Sequence, residues 1–257
     1  MRVQFCLLFH RRTMTLPIIQ RTSVLGMPVH LSEDYIGWLC DRIETKQGTT
    51  VVTINAEMAV QGEQDPKLEQ TLRGADLVVP DGAGVVLYLK AQGYRQRRCP
   101  GIELAESMLA ELPRRQWKAW FYGGSPGISQ KAAAILTGRY PGLEFAGVNH
   151  GFLDEAAMDQ QQRELAARQP EVILVGLGVP RQEYWIEAHR HLCPKSLWIG
   201  VGGSFDIWSG TKERAPKWFC DNNLEWLYRL YQEPWRWRRM LALPYFVWRS
   251  LLEWFKS

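Results

Sequence analysis

The feature that most constrains this chain is a sustained alternation of two hydrophobic periods. Between residues 50 and 200, short runs rich in Val, Ile, Leu and aromatics fall at 50–54, 76–79, 118–122, 143–148, 171–175 and 196–201. Stretches of helical periodicity lie between them, at 83–92, 102–112, 129–139, 155–168 and 181–191. Most of the apolar runs span only four to six residues, the length of a strand buried on both faces. Strand–helix alternation at this spacing predicts an α/β fold, a mostly parallel sheet flanked by helices on both sides. Upstream, 24–30 is a weaker strand candidate, followed by a helix that Ser32 can cap, with Glu33 and Asp34 in its first turn.

After residue 210 the pattern changes. Segments 215–231 and 235–256 read as helical, with Pro234 and Pro244 as punctuation. The expected organisation is a poorly specified leader at 1–20, a Rossmann-like α/β core at 21–211 and a helical appendage at 212–257. A length of 257 residues with 46% hydrophobic composition supports a full core and excludes a disordered chain.

Charge is distributed unevenly. From 212 to 257 there are nine Lys/Arg against five Asp/Glu, so the chain's net charge of +4 is matched by its tail alone. Six of the twelve Trp lie there as well: Trp218, Trp226, Trp235, Trp237, Trp248 and Trp254. Indoles interleaved with basic residues suit an anionic lipid surface, with the rings at the water–lipid boundary. A mild net charge gives no case for a nucleic-acid partner. The five Cys are odd in number and widely spaced, with no Cys-x-x-Cys pair, which points to a reducing, cytoplasmic compartment without structural zinc. No apolar run approaches the roughly 20 residues of a membrane span.

In a doubly wound sheet, ligands bind outside the carboxyl ends of the strands. Residues unusual for a core cluster just there: Thr53-Ile-Asn55, Pro80-Asp-Gly82, Tyr122-Gly-Gly124, Asn149-His-Gly151, the turn at 176–180 and the loop at 200–206. Asp81 reads either as a helix cap or as a general base able to reach a hydroxyl. Thr53 and Asn55 share one side of their strand, for ordinary strand-end hydrogen bonding or for positioning a substrate. Gly123 and Gly124 let a backbone approach a phosphate closely, yet they do not fit Gly-x-Gly-x-x-Gly. Gln182 sits in the first turn of a helix, within reach of the crevice or simply at the surface. Asp206 can accept from a nucleobase N–H or cap a helix. Arg236 and Arg239 share a helix face, with Arg229 upstream; guanidinium groups match phosphate geometry, in a diphosphate or in lipid headgroups. No Asp-x-Asp signals a metal-bridged diphosphate site, and no cofactor is expected.

Taken in order, these motifs resemble the WecG/TagA/CpsF family, glycosyltransferase family 26. The resemblance runs from about Val24 to Arg249 and is strongest at Thr53-Ile-Asn55, Ala75-Asp-Leu-Val-Val-Pro-Asp-Gly82, and Gly176-Leu-Gly-Val-Pro-Arg-Gln-Glu183. Gly200-Val-Gly-Gly-Ser-Phe-Asp206 and the stretch from Glu213-Arg-Ala-Pro216 to Arg239 complete it. It implies a Rossmann-like core whose C-terminal appendage completes the site and meets the membrane. It implies inverting, metal-independent transfer of an N-acetylmannosamine-type sugar from a UDP-sugar donor to an undecaprenyl-diphosphate-linked acceptor, for cell-surface polysaccharide. By motif match Asp81 is the base and Thr53 supports it. Asn55, Tyr122, Gly123, Gly124 and Gln182 line the donor pocket, Asp206 meets the uracil, and Arg229, Arg236 and Arg239 meet the diphosphate. Such an enzyme works as a peripheral protein on the inner face of the cell membrane, and the resemblance leaves a homo-oligomer open. Two other readings compete with it: a nucleotide-binding oxidoreductase of Rossmann type, against which the glycine spacing counts, and a non-catalytic membrane-associated binding module.

Overall fold

The computed structural model describes residues 18–254, with the side chains of Arg236 and Trp254 outside the described set, so the expected leader at 1–20 lies almost wholly beyond it. The chain opens with β1 (Gln20–Val24), β2 (Met27–Leu31) and α1 (Tyr35–Glu44). There follow β3 (Thr49–Ile54), α2 (Ala56–Gln64), α3 (Pro66–Gly74), β4 (Leu77–Pro80), α4 (Ala83–Ala91) and α5 (Gly101–Arg115). Then come β5 (Lys118–Gly123), α6 (Ile128–Arg139), β6 (Glu144–Asn149), α7 (Glu155–Arg168), β7 (Val172–Gly176), α8 (Arg181–His189) and β8 (Leu197–Gly200). The last part is helical: α9 (Ser204–Trp208), α10 (Lys217–Asp221), α11 (Glu225–Gln232), α12 (Trp237–Met240) and α13 (Ala242–Trp254).

The predicted α/β class holds. Six strands form one sheet in the order β4-β3-β8-β7-β5-β6, with every neighbouring pair parallel. All six residues of β3, Thr-Thr-Val-Val-Thr-Ile, are β-branched, which stiffens the side chains and favours a pleated, buried strand. The chain steps outward from β3 to β4, crosses to β5 and β6 at the far side, and fills the centre with β7 and β8. That reversal opens a crevice at the carboxyl edge.

Alternation along each strand sends side chains to two cores. Val51, Phe121, Leu174 and Ile199 join α1, α5, α6 and α9 on one face. On the other, Val52 and Ile54 pack with the β1–β2 hairpin and α2–α4, while Trp120, Tyr122 and Ile173 pack with α7 and α8. Fully buried aromatics such as Trp120 and Phe121 each contribute about 1.5–3 kcal/mol of apolar burial.

Three expectations need correction. The strand candidate at 24–30 is instead a hairpin, because Leu25 (φ 49°) and Gly26 (φ 73°) both turn left-handed and reverse the chain between β1 and β2. Ser32 does not cap α1; Asp34 does, its Oδ1 accepting from Gly37 N at 2.7 Å, while Ser32 Oγ accepts from Asp34 N. The two long C-terminal helices are broken into shorter pieces, since the chain bends at Asn222–Leu224 and passes through a 3₁₀ turn at Pro234–Arg236. Pro244 falls in the first turn of α13, where a missing N–H is tolerated, and so interrupts nothing.

α13 is the part of the tail that packs deepest. Phe246 is only 2% exposed, set edge-on to Tyr88 with ring centroids 6.1 Å apart and lying against Gly84. Arg249 pairs with Glu63, and Tyr88 donates to Glu253. From α10 to α12, by contrast, Glu225 is the one buried side chain among the described residues.

Candidate active site

The β3–β4 register fixes where the crevice residues fall. Thr53 lies opposite Val79 and Ile54 opposite Pro80, so both strands end level. The N–H of Asp81 donates to Ile54 O at 2.9 Å, placing the aspartate one step beyond the ladder. Two glycines then let backbone come close. A Cβ at Gly82 would stand 2.9 Å from Asn55 Cβ, and one at Gly101 would stand 2.9 Å from Thr53 Oγ1. Thr53, Asn55 and Asp81 are thus gathered around two points of close contact.

Asp81 does not cap the helix that follows it. The N-cap of α4 is Gly82, without any side-chain bond. Instead Asp81 Oδ2 accepts from Gly101 N, the first residue of α5, at 3.3 Å. Burial pushes the Asp81 carboxyl up to about 6, against the pull of Arg229, the Gly101 N–H and Arg98, while Glu225 pushes it further up. A carboxylate poised near neutrality is suited to general-base work. Asn55 has a structural duty of its own: its Oδ1 accepts from Met58 N at 2.9 Å and caps α2, leaving its amide NH₂ for other partners.

Charged residues of the tail and of the loop before α5 form a cluster whose charges act on Asp81. Glu225, 7% exposed, accepts from Arg229 Nη2 at 2.6 Å and from Arg98 Nη2 at 3.2 Å. Burial pushes its carboxyl up, but Arg229, Arg98 and Arg214 together outweigh this and hold it below its ordinary value. Arg214 in turn pairs with Glu103 at the start of α5. Arg98 and Glu225 were not among the residues singled out in the sequence. The run Arg95-Gln-Arg-Arg98 on a loop next to a candidate base was the available signal for the first; a lone Glu on an amphipathic helix gave none for the second.

The remaining candidates separate. Tyr122 is core: 2% exposed, its ring lies 4.4 Å from that of Trp185. Gly123 (φ 133°) has no room for a side chain, since a Cβ would stand 2.3 Å from Gly176 O. Gly124 N donates to that same Gly176 O at 3.0 Å, so the pair holds β5 against β7 at the crevice edge. Gln182 is 3% exposed, and its Oε1 accepts from Gly202 N at 2.9 Å. Asp206 lies in the first turn of α9, half-buried, its carboxylate beside Gly203. Arg229 meets the Asp81 cluster, whereas Arg239 reaches Glu57 on α2, Nε to Oε1 at 2.6 Å. The side chain of Arg236 lies outside the described set. Among the described residues no three His, Cys, Asp or Glu side chains gather where they could share a metal ion.

A desolvated carboxyl at the carboxyl edge of a doubly wound sheet, in the field of two guanidinium groups, can take a proton from a hydroxyl, while the guanidinium groups can stabilise an anionic leaving group. This is the chemistry of a group-transfer enzyme. The family model described as "Glycosyl transferase WecG/TagA/CpsF family" matches residues 22–257. A relative from Bacillus spizizenii is 37% identical over 210 residues, covering 80% of this chain and 79% of its own. One from Bacillus subtilis is 34% identical over 212 residues, covering 82% of each, and one from Staphylococcus aureus is 31% identical over 203 residues, covering 77% and 78%. All three bear the name N-acetylglucosaminyldiphosphoundecaprenol N-acetyl-beta-D-mannosaminyltransferase. The chain belongs to the WecG/TagA/CpsF family of glycosyltransferases. The oxidoreductase and non-catalytic readings fall away.

Proposed function

We propose that the chain moves an N-acetylmannosamine-type sugar from a UDP donor onto the sugar of an undecaprenyl-diphosphate-linked acceptor, with inversion and without a metal. The observation that carries this reading is Asp81, raised to about 6 by burial and in the field of Arg98 and Arg229. The names of the relatives supply the acceptor class and the transferred sugar. In the reaction, Asp81 takes the proton of the acceptor hydroxyl. That oxygen bonds to the anomeric carbon as the bond to the UDP oxygen breaks on the opposite side, and UDP leaves with the electron pair. The arginines stabilise the charge that grows on the diphosphate, which a carboxylate–metal pair would otherwise do. Thr53 supports Asp81 through the contact at Gly101, and Asn55, the Gly123–Gly124 edge, Gln182 and Asp206 border the donor.

The tail supplies the setting. Trp218, Tyr231, Trp235, Trp237, Trp248 and Leu251 are each at least half exposed. No helix among the described residues is long and apolar enough to cross a membrane. A surface of indoles beside Arg238 and Arg239 fits a peripheral contact with anionic lipid, on the inner leaflet where nucleotide sugars are made. On this reading residues 212–257 complete the site and hold it at the lipid.

The test is UDP release from a panel of UDP-sugars with a short-chain lipid-diphosphate acceptor. Release that requires the acceptor and an N-acetylmannosamine-type donor is expected. Asp81→Ala should lower turnover by about 10²–10⁴-fold while UDP still binds. Full activity in that variant would overturn the assignment of the base.

A further inference from the structure

The Gln182–Glu183 pair at the head of α8 is buried more completely than any ordinary surface dipeptide, the two residues being 3% and 2% exposed. The backbone N–H of Gly202 can only donate, so the Gln182 amide must turn its oxygen toward it, at 2.9 Å. Gln182 Nε2 is then committed to the other side, where it donates to Glu183 Oε1 at 2.8 Å. No side chain fits between this pair and β8: a Cβ at Gly200 would stand 2.5 Å from Gln182 Nε2 and 3.2 Å from Glu183 Oε1.

The chain of contacts continues into the crevice. A Cβ at Gly176 would meet Gly202 O at 2.9 Å and the Phe205 ring at 2.7 Å, so the Gly202 turn rests directly on the carboxyl end of β7. Four residues beyond Gly202 stands Asp206.

Glu183 is an expensive residue for mere packing. It is a carboxyl side chain only 2% exposed, held by the Gln182 amide on one oxygen. Burying a carboxyl is costly, and the raised value of this one shows burial outweighing the Gln182 amide and the backbone N–H that favour its charged form. Glu183 lines a small cavity with Thr50, Val52, Thr71, Ile186 and Glu187.

We infer that Glu183 is a positioning residue for the transfer reaction: it fixes the Gln182 amide, which fixes the Gly202 turn, and so sets the affinity for the nucleotide of the donor. This rests on the reading above that the turn between β8 and α9 borders the donor.

Two measurements on the full chain test it. In steady-state UDP release with the donor varied, Glu183→Leu should raise the donor KM about tenfold with far less change in kcat, roughly the worth of one hydrogen bond. Glu183→Gln keeps an acceptor for Gln182 Nε2 and should stay within about threefold of the parent KM. Amide exchange over residues 200–206 should quicken in Glu183→Leu and not in Glu183→Gln. If Glu183→Leu fails to fold, Gln182→Leu cuts the same link from its other end and should show the same rise in exchange, which, unlike its KM, does not depend on Gln182 bordering the donor. Parent-like KM and exchange in the leucine variants would overturn the inference, as would a glutamine variant that behaves like leucine. If the parent releases no UDP from any UDP-sugar, it is the functional reading that fails. Exchange then decides alone: a leucine-specific loss of protection supports the positioning role, and equal protection overturns it.

Discussion

Arg98 and Glu225, 127 residues apart in sequence, meet through a 3.2 Å contact that ties the loop before α5 to the first turn of α11. The same glutamate holds Arg229, so one buried carboxylate pairs two cations whose charges pull the Asp81 value down, and adds its own negative charge, which pushes it up. Glu225→Gln removes that charge and weakens both pairs. Asp81 should then give up its proton more readily, moving the acidic limb of the kcat/KM profile to lower pH. Activity at the optimum should fall roughly 10–100-fold as the arginines lose their charged partner, in keeping with the cost of breaking a largely buried pair. An acidic limb that stays in place would show that Glu225 does not act on Asp81.

Arg229→Ala gives the opposite sign, measured against the parent profile. A base must be ionised to act, so activity should rise with pH through about 6, the value to which burial lifts Asp81. Arg229 pulls that value down. Its removal should therefore move the acidic limb toward neutrality, besides lowering turnover through loss of a diphosphate partner. The two variants shifting the limb in opposite directions is the result that a general loss of structure would not produce.

The contrast between Asp81 and Glu225 shows what could be read in the sequence. Asp81 was visible because a buried-type strand, Leu77–Pro80, ends on it and a helix starts just after, and strand ends in such a sheet are where ligands bind. The strands themselves were legible because β-branched runs such as Thr49–Ile54 have no amphipathic alternative. Glu225 was not legible, since its significance is a long-range contact and no local pattern encodes that. Tyr122 was misleading for a related reason. Its place beside two glycines is right for a ligand loop, but strand alternation turns the ring into the core against Trp185. The Leu25–Gly26 hairpin went unread because only the second of its two left-handed residues is a glycine.

Phe246 should prove to be the anchor of the tail. It is the one large buried side chain described in α13, seated against Gly84 and Tyr88. Phe246→Ala should cost about 3–5 kcal/mol of the local packing. Because α10–α12 bury little of their own, protease sensitivity should rise at 209–241 before the core unfolds. Cleavage first within the core would argue against this order.

Membrane contact can be tested on the exposed rings while every arginine assigned to the diphosphate is kept. Trp235 and Trp237 are 71% and 53% exposed. Replacing both by Ser should weaken co-sedimentation with vesicles containing anionic lipid, and added salt should weaken it further by screening the nearby arginines. Activity on a water-soluble, short-chain acceptor should change little. Equal vesicle binding by parent and variant would remove these rings from the lipid surface.

Glu183 makes a prediction about stability that is separate from its role in positioning. Burial raises its carboxyl from an ordinary 4.5 to about 7. Below pH 4 the folded and unfolded chains both keep this proton, and the residue adds no pH dependence. Between about 4.5 and 7 the unfolded chain releases the proton while the folded chain retains it, so stability falls as pH rises. Above 7 the cost levels off at about 3 kcal/mol, from 1.36 kcal/mol for each pH unit between the two values. Glu183→Gln cannot titrate and escapes this loss. Urea unfolding of parent and variant at pH 4.5 and pH 8 reads the difference directly, because every other ionisable group is common to both. The variant should gain on the parent by about 3 kcal/mol between the two pH values. A gap that does not grow with pH would mean that Glu183 is ionised in the fold at no cost, and that burial does not raise its carboxyl.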